Sequence, residues 1–139
     1  MTTPKDALLL GTAVLDPVMS EHGFAFQIEN EGRGSGGCFA RGSYLRRERR
    51  LEVHYRYALG LVAYRIGDAI LDHESYMRSL GVWGRNQYPG FPKDPLDSFR
   101  QLAYDIKAYG SDFLCGSGEE FGRFAEDLRR NPVKFKGLP

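Results

Sequence analysis

The sequence predicts an α+β fold: a four-stranded antiparallel meander sheet with an N-terminal helix and C-terminal helices packed on one face. The first observation is the stretch 51–57, where Leu, Val and Tyr alternate with Glu, His and Arg, the pattern of a strand with one buried and one solvated face. The second is that strand patterns recur at 24–29, 38–46 and 62–66. The third is that all four strands lie between helical segments, which is typical of α+β rather than alternating α/β architecture.

An N-terminal helix is predicted before the first strand. Thr3 and Asp6 have the spacing of a capping box at its start. Pro17 is expected to kink or interrupt the helix, because proline has no amide hydrogen to donate, and the helix is expected to end at His22-Gly23. Its apolar face is predicted to consist of Leu9, Leu10, Ala13, Val14 and Val18.

The glycine-rich segment 32–37 is predicted to be a hairpin turn. A phosphate-binding loop would lead into a helix and carry Lys and Ser or Thr after its last glycine, whereas a strand pattern follows here. In that strand the small residues Cys38, Ala40 and Gly42 predict a face that a helix approaches closely, with Cys38 as a buried, inert thiol. The arginine-rich segment 46–50 is expected to be a solvated hairpin connection.

Three helices are predicted after the sheet. Asp72 is expected to cap a short helix over 73–80, and a loop over 81–93 follows it. The strongest helical pattern begins at Asp94-Pro95. Its apolar stripe consists of Leu96, Phe99, Leu102, Ala103 and Ile106. The residues Ser117 to Glu120 have a second capping-box spacing and open the last helix.

Length and composition restrict the class of protein. A chain of 139 residues is long enough for one domain with its own core, and we assign 1–139 to a single domain. Nineteen basic against eighteen acidic residues give a net charge of +1, which argues against a nucleic-acid partner. The longest apolar run, 7–15, is far shorter than the roughly 20 residues that span a bilayer, so no membrane partner is expected. Without an export signal, Cys38 and Cys115 are predicted to be reduced thiols in the cytoplasm.

No catalytic residue, metal site or cofactor is predicted. Ser35 and Ser117 lack the G-x-S-x-G spacing of a hydrolase nucleophile. His73-Glu74 resembles the start of a zinc-binding H-E-x-x-H helix, but Met77 occupies the position of the second histidine. We therefore expect a non-enzymatic protein, and a hydrolase stays open as the alternative.

Two candidate binding regions follow from the pattern. The first is the sheet face opposite the helices, which is expected to present Arg41, Ser43, Glu52, His54, Arg56 and Arg65. Arginine and histidine flanked by aromatic rings can bind a carboxylate, a phosphate or an acidic protein surface; the alternative is a solvated face with cross-strand ion pairs. The second is the 81–93 loop, which offers Trp83, Arg85 and Tyr88. Its aromatic side chains instead fold back onto the core edge in the alternative interpretation.

Three features of the chain also carry a resemblance. They are the helix that ends in His22-Gly23-Phe24, the amphipathic meander, and the following helix, which begins with His-Glu-Ser-Tyr at residues 73–76. Together they resemble small bacterial α+β proteins of the type of the immunity proteins encoded beside polymorphic toxins. The resemblance implies a non-enzymatic, immunity- or adaptor-like protein that binds a protein partner through the open sheet face and the 81–93 loop. The alternative is a domain that binds a small molecule or anion. The oligomeric state stays open.

Overall fold

The computed structural model describes residues 3–34 and 37–132, and it confirms the α+β prediction. The elements in chain order are α1 (Pro4–Glu21), β1 (Ala25–Gly34), β2 (Gly37–Arg46), β3 (Arg49–Tyr55), β4 (Leu59–Ile66), β5 (Ala69–Asp72), α2 (His73–Ser79), α3 (Asp97–Tyr109), α4 (Ser111–Leu114) and α5 (Glu119–Arg130). The strands form one antiparallel sheet in the order β1-β2-β3-β4-β5. No helix in these ranges is long and apolar enough to cross a membrane.

The sheet has five strands rather than four. The additional strand, β5, pairs with β4 through a tight turn in which Gly67 has a φ of +59°. With only four residues, β5 is too short to show a clear alternation in sequence. The predicted turn over 32–37 is corrected: residues 32–34 belong to β1 and Gly37 begins β2, while Ser35 and Gly36 lie outside the described residues.

Helix α1 keeps its predicted ends but buries a different face. The capping box between Thr3 and Asp6 forms, and the helix continues through Pro17. The prediction of the apolar face is wrong in part: Leu9 and Leu10 are 43% and 59% exposed and Ala13 is exposed, whereas Val14 and Val18 are half-buried against the core. The side chains that α1 buries are Leu8, Thr12, Leu15 and Met19, together with Gly11. The run of three leucines allows either helical phase. Packing selects the phase in which Gly11 faces α3.

Strand β3 organises the core as its alternation predicts. Leu51, Val53 and Tyr55 are buried on the side of the helices. The strand ends at Tyr55, so that Tyr57 lies beyond the alternation and is 81% exposed. In β2, Ala40 is buried on the same side, as expected.

The predictions for Cys38 and for the 46–50 connection are corrected. Cys38 is exposed, because it pairs with Arg33 near the end of the β1-β2 hairpin, beyond the reach of the core. The arginines at both ends of the 46–50 segment are not simply solvated. The Arg46 guanidinium donates to the backbone carbonyl oxygens of His22 and Leu114. The buried Arg49 guanidinium donates to three more carbonyls, those of Asp112, Phe113 and Gly116.

The C-terminal helices complete the layer on the helix side. Phe99, Leu102 and Ile106 of α3 are fully buried, which confirms the predicted stripe, although the helix begins at Asp97 rather than Asp94. The short helix α4 was not predicted. The predicted capping box does not form at the start of α5: the N-cap is Gly118 at a φ of +83°, and Ser117 Oγ accepts from the Glu119 N–H at 3.2 Å.

An acidic residue from outside α5 takes over the role of the cap. The carboxylate of Asp112 in α4 accepts hydrogen bonds from the backbone N–H groups of Gly118 and Phe121. The unpaired N–H groups at a helix start favour an acceptor with negative charge. The cap therefore comes from the tertiary structure, not from the local sequence.

Candidate functional site

The sheet face opposite the helices carries most of the predicted binding residues. Its members are Arg41, Ser43, Arg50, Glu52, His54, Ala63 and Arg65, which alternate with the buried side chains on β2, β3 and β4. We call this surface the open face. Ser43 and Ala63 lie at its floor, 0% and 7% exposed. The longer charged side chains around them stay partly exposed and form the surface layer.

One half of the open face is an ion-pair network. Arg50 Nη1 lies 2.8 Å from Glu29 Oε2 and 3.6 Å from Glu52 Oε1. Arg65 Nε lies 3.5 Å from the same oxygen of Glu52. The Ser43 hydroxyl donates to the Glu29 carboxylate. The alternative interpretation, a sheet face with cross-strand ion pairs, therefore describes this half.

Two members of that network, Glu29 and Arg50, were missed by the sequence analysis. Arg50 was assigned to the hairpin connection, whereas β3 begins at Arg49 and includes it. Glu29 lies at a shift in register between Ile28 and Asn30 on β1. Its position in the polar phase of the first strand was the available signal.

The other half of the open face carries basic side chains that have no acidic partner in the described part of the chain. Arg41 and His54 are directly opposite each other on β2 and β3, and Arg56 follows the end of β3, with its guanidinium carbon 5.8 Å from the centroid of the Phe39 ring. Within residues 3–34 and 37–132, neither Arg41 nor Arg56 has a carboxylate at ion-pair distance. We call Arg41, His54 and Arg56 the basic end.

The electrostatics of the basic end follow from this arrangement. Burial and the Arg41 guanidinium lower the pKa of the His54 imidazole below its usual value, while Glu52 and Glu29 act in the opposite direction. Arg41 Nε is buried and has no hydrogen-bond partner among the described residues. A recess of about 240 Å³ opens beside this cluster, lined in part by Phe39, His54, Arg56 and Leu61.

The 81–93 loop does not join the open face. Tyr88 is buried, and its hydroxyl donates to the carbonyl oxygens of Leu59 and Gly60 at 3.0 and 2.6 Å. Trp83 is half-buried against the core under the guanidinium of Arg78. Trp83 and Tyr88 therefore seal the core edge, as the alternative interpretation has it. Arg85 is exposed and donates to the carbonyl oxygen of Gly81.

A buried polar network holds this loop to the sheet and to α3. The fully buried carboxylate of Asp105 accepts hydrogen bonds from the Gln87 and Tyr88 backbone N–H groups and from His73 Nε2. His73 Nδ1 lies 2.7 Å from the Tyr64 hydroxyl. Because a carboxylate only accepts hydrogen bonds, Nε2 carries the proton and Nδ1 accepts from Tyr64.

This Tyr-His-Asp arrangement has the hydrogen-bond pattern of a catalytic triad, but a substrate cannot reach its hydroxyl group. Tyr64 is 0% and His73 4% exposed, and burial holds the pKa of the Tyr64 hydroxyl well above its usual range. A nucleophile that no substrate can reach does no chemistry, so the network positions the loop. Ser43 is likewise buried and donates to Glu29, which leaves it unsuited to nucleophilic attack.

An apolar groove of about 580 Å³ lies at the end of β3, between the first turns of α1 and the start of α3. Its walls include Pro4, Ala7, Leu10, Tyr55, Tyr57 and Leu96. At its rim, Arg100 is paired with Asp94 at 3.1 Å and with Asp97 at 2.6 Å. Sequence analysis did not find this groove, because it joins three segments that are distant in the chain.

The described residues contain no group of three or more His, Cys, Asp or Glu side chains that could hold a metal ion. Cys38 and Cys115 are both free and exposed. No protein-family model matches the chain, and neither a curated protein nor a solved structure shows significant similarity to it.

Proposed function

We propose that this protein is a non-enzymatic binding protein whose open face binds an acidic surface of a partner protein. The observation that carries the proposal is the one-sided sheet: helices bury one face, and the other presents basic side chains in excess of acidic ones. Four arginines, Arg41, Arg50, Arg56 and Arg65, stand against Glu29, Glu52 and, on the edge strand, Asp72, whose carboxylate accepts from the Ser75 N–H at the start of α2.

The charge distribution supports an acidic partner. The whole chain has a net charge of only +1, whereas Arg41 and Arg56 lie together on this face with no carboxylate at ion-pair distance among the described residues, so positive charge is concentrated locally there. Such a patch accelerates the encounter with an oppositely charged surface and rejects like-charged ones. Arginine is also the cation best suited to carboxylates, because its planar fork can donate two parallel hydrogen bonds.

The size of the face sets the kind of interface. From the spacing of strands and the rise per residue, its projected area is on the order of 600 Å². A standard interface buries roughly 800 Å² on each partner. The protruding arginines add to the accessible area, and the exposed Leu61 and Ile70 at its margin add apolar contact. The face therefore suits a standard or slightly smaller interface.

The resemblance to immunity-type proteins extends the proposal. An immunity or adaptor protein of a bacterium works by binding one protein partner and needs no catalytic group. Two free, exposed thiols fit a reducing compartment, and we place this activity in the cytoplasm. The 81–93 loop is left out of the proposed interface, because it does not join the open face and its Trp83 and Tyr88 side chains pack against the core.

Site-specific photo-cross-linking in cells of the source organism tests the proposal. A photoreactive amino acid replaces Leu61 or Ile70 at the open face, and Tyr104 on α3 serves as the control, with a similar exposure of 48%. We expect one saturable cross-linked protein from the open-face positions and none from Tyr104. Equal products from all three positions, or none from the open face, would contradict the proposal. A cross-link to a second copy of this chain would replace the acidic partner with a homodimer.

An arginine substitution measures the contribution of the open face once the partner is isolated. Arg56→Ala is expected to leave stability nearly unchanged, since Arg56 makes no ion pair in the described part of the chain. If this residue is a hot spot, the substitution weakens binding by about 2 kcal/mol or more. An unfolded Arg56→Ala variant would instead assign Arg56 a structural role.

A second candidate function, the binding of a small molecule, is favoured by the apolar groove. Its volume of about 580 Å³ lies within the range of roughly 300–1,000 Å³ that is typical of ligand pockets. Ala7→Phe fills the groove from the half-buried face of α1. A ligand found by screening that raises the melting temperature of the wild type but not of Ala7→Phe would support this function.

A further inference from the structure

We propose that the basic end of the open face, formed by Arg41, His54 and Arg56, is an anion site that receives a single side-chain carboxylate of the partner protein. The inference rests on the proposed function and names the chemistry that the partner presents. It singles out one end of the face as the specific contact and assigns the ion-pair network at the other end a structural role.

The pairing of charges separates the two ends. Glu29 and Glu52 both lie within 4 Å of Arg50, and Glu52 also neutralises Arg65. These four side chains balance in charge. Arg41 and Arg56 have no such carboxylate among the described residues, so the excess positive charge of the face is located at this end.

A second observation, independent of the charge count, comes from Arg41. Its Nε atom is buried and makes no hydrogen bond within the described ranges, which is also true of Arg65 Nε; Arg65, however, has Glu52 at ion-pair distance, whereas Arg41 has no carboxylate there among the described residues. A charged donor that is desolvated and unpaired costs more free energy than a neutral donor in the same state. Because Nε is shielded from solvent, an incoming oxygen acceptor reaches it only when the Arg41 side chain turns outward; the new hydrogen bond would then offset that cost.

The recess beside the cluster has the shape for a short side chain. Its volume is about 240 Å³, and its walls combine Arg56 and His54 with the apolar Phe39, Ala58 and Leu61. The apolar walls can contact the methylene groups of an aspartate or glutamate, while the cations meet the carboxylate. The Phe39 ring lies beneath the Arg56 guanidinium and fixes the orientation of the guanidinium plane.

A carboxylate is assigned rather than a phosphate group because it is the anion that the unmodified surface of a partner protein presents. Attraction to Arg41 and Arg56 and repulsion from Glu52 and Glu29, which act on the His54 imidazole, both scale with the charge of the anion. Charge alone therefore does not separate the two anions, and the experiment compares them directly. Two arginines match one carboxylate without requiring His54 to be protonated.

The histidine itself provides the readout. A proton NMR titration of the His54 ring is recorded with an acetyl-hexa-aspartate amide peptide, with inorganic phosphate and with a hexa-asparagine control peptide. We expect the aspartate peptide to raise the pKa of His54, because its negative charge opposes the effect of Arg41. The ring signals of His73, which is buried between Tyr64 and Asp105, are expected not to shift on addition of the peptide at constant pH and serve as the internal control.

Charge-neutralising variants locate the site. Arg41→Gln and Arg56→Gln are each expected to weaken binding of the aspartate peptide about tenfold, the equivalent of about 1.4 kcal/mol. The control is Arg123→Gln, at an exposed position on α5 away from the sheet face, and it is expected to bind as the wild type does. If Arg41→Gln fails to fold, the affinity of Arg56→Gln and the wild-type titration still test whether the basic end binds the aspartate peptide.

Each outcome bears on a different part of the proposal. An unchanged His54 titration, or equal affinity in Arg56→Gln and Arg123→Gln, would overturn the anion site. Tighter binding of phosphate than of the aspartate peptide would overturn the assignment to a carboxylate. Neither result alters the cross-linking pattern from Leu61 and Ile70, so failure of the inference is distinguishable from failure of the proposed function.

Discussion

The buried carboxylate of Asp105 offers the sharpest test of how the fold is held together. Asp105→Asn keeps the size and shape of the side chain and removes one acceptor. In the native protein Oδ1 accepts from the Gln87 N–H at 2.6 Å, and Oδ2 accepts from the Tyr88 N–H at 2.8 Å and His73 Nε2 at 2.9 Å. An asparagine has one carbonyl oxygen, which can take the place of only one of these oxygens.

The expected loss follows from counting the unsatisfied groups. If the amide oxygen keeps the two bonds of Oδ2, the NH₂ group faces the Gln87 N–H, and two donors oppose each other. A buried unsatisfied polar group costs about 1–3 kcal/mol, and the two remaining bonds lose their charge assistance. We therefore expect Asp105→Asn to lower the free energy of unfolding by roughly 2–4 kcal/mol.

Urea denaturation followed by circular dichroism measures this loss, and hydrogen exchange locates it. The amides of Gln87 and Tyr88 are expected to exchange faster in the variant. The control is Asp68→Asn, an exposed turn residue, which should change stability by no more than about 0.5 kcal/mol. A loss of less than about 0.5 kcal/mol in Asp105→Asn would refute the role of this network as the anchor of the loop.

Three further predictions concern the core, the helix contact and the acid side of the pH range. Leu102→Ala should destabilise by roughly 2–5 kcal/mol in the same denaturation assay, because the side chain is fully buried; a surface-like loss would remove it from the core. Gly11→Ala should destabilise by roughly 1–3 kcal/mol, since an added Cβ would lie 2.2 Å from Phe99 Cζ, and a neutral result would show that α1 and α3 separate easily. Because the folded-state pKa of His54 is lowered, the unfolded chain binds its proton first as the pH falls below the usual value of about 6.5. Wild-type stability should therefore decline between pH 7.5 and 5.5 more than that of His54→Gln, and parallel declines would contradict the shift.

Long periodic segments were predictable because their pattern and their packing agree. The alternation through β3 and the stripe of α3 each follow one geometric period, and burial of one face is the only way to satisfy it. The short elements β5 and α4, four residues each, carry too few positions to show a period. They form because β4 and the Arg49 guanidinium provide hydrogen-bond partners for their backbones.

The errors at α1 and α5 have a common cause. Consecutive leucines at 8–10 fit two helical phases equally well, and the contact between Gly11 and Phe99 decides between them. At the start of α5 the local capping signal was replaced by the Asp112 carboxylate. In both cases a tertiary contact prevailed over a local preference that was weak or ambiguous.

The sequence by itself determined the class of fold and the side of the sheet on which the charged residues lie, because the side chains of a strand alternate with a period of two. Only the tertiary structure decided which of those charges are neutralised. Glu29 and Arg50 are 21 residues apart in the chain, and the sheet brings their side chains to 2.8 Å. The same register leaves Arg41 beside His54 without an acidic partner in the described part of the chain. Charge pairing across strands depends on register and side-chain reach, which the alternation alone does not specify.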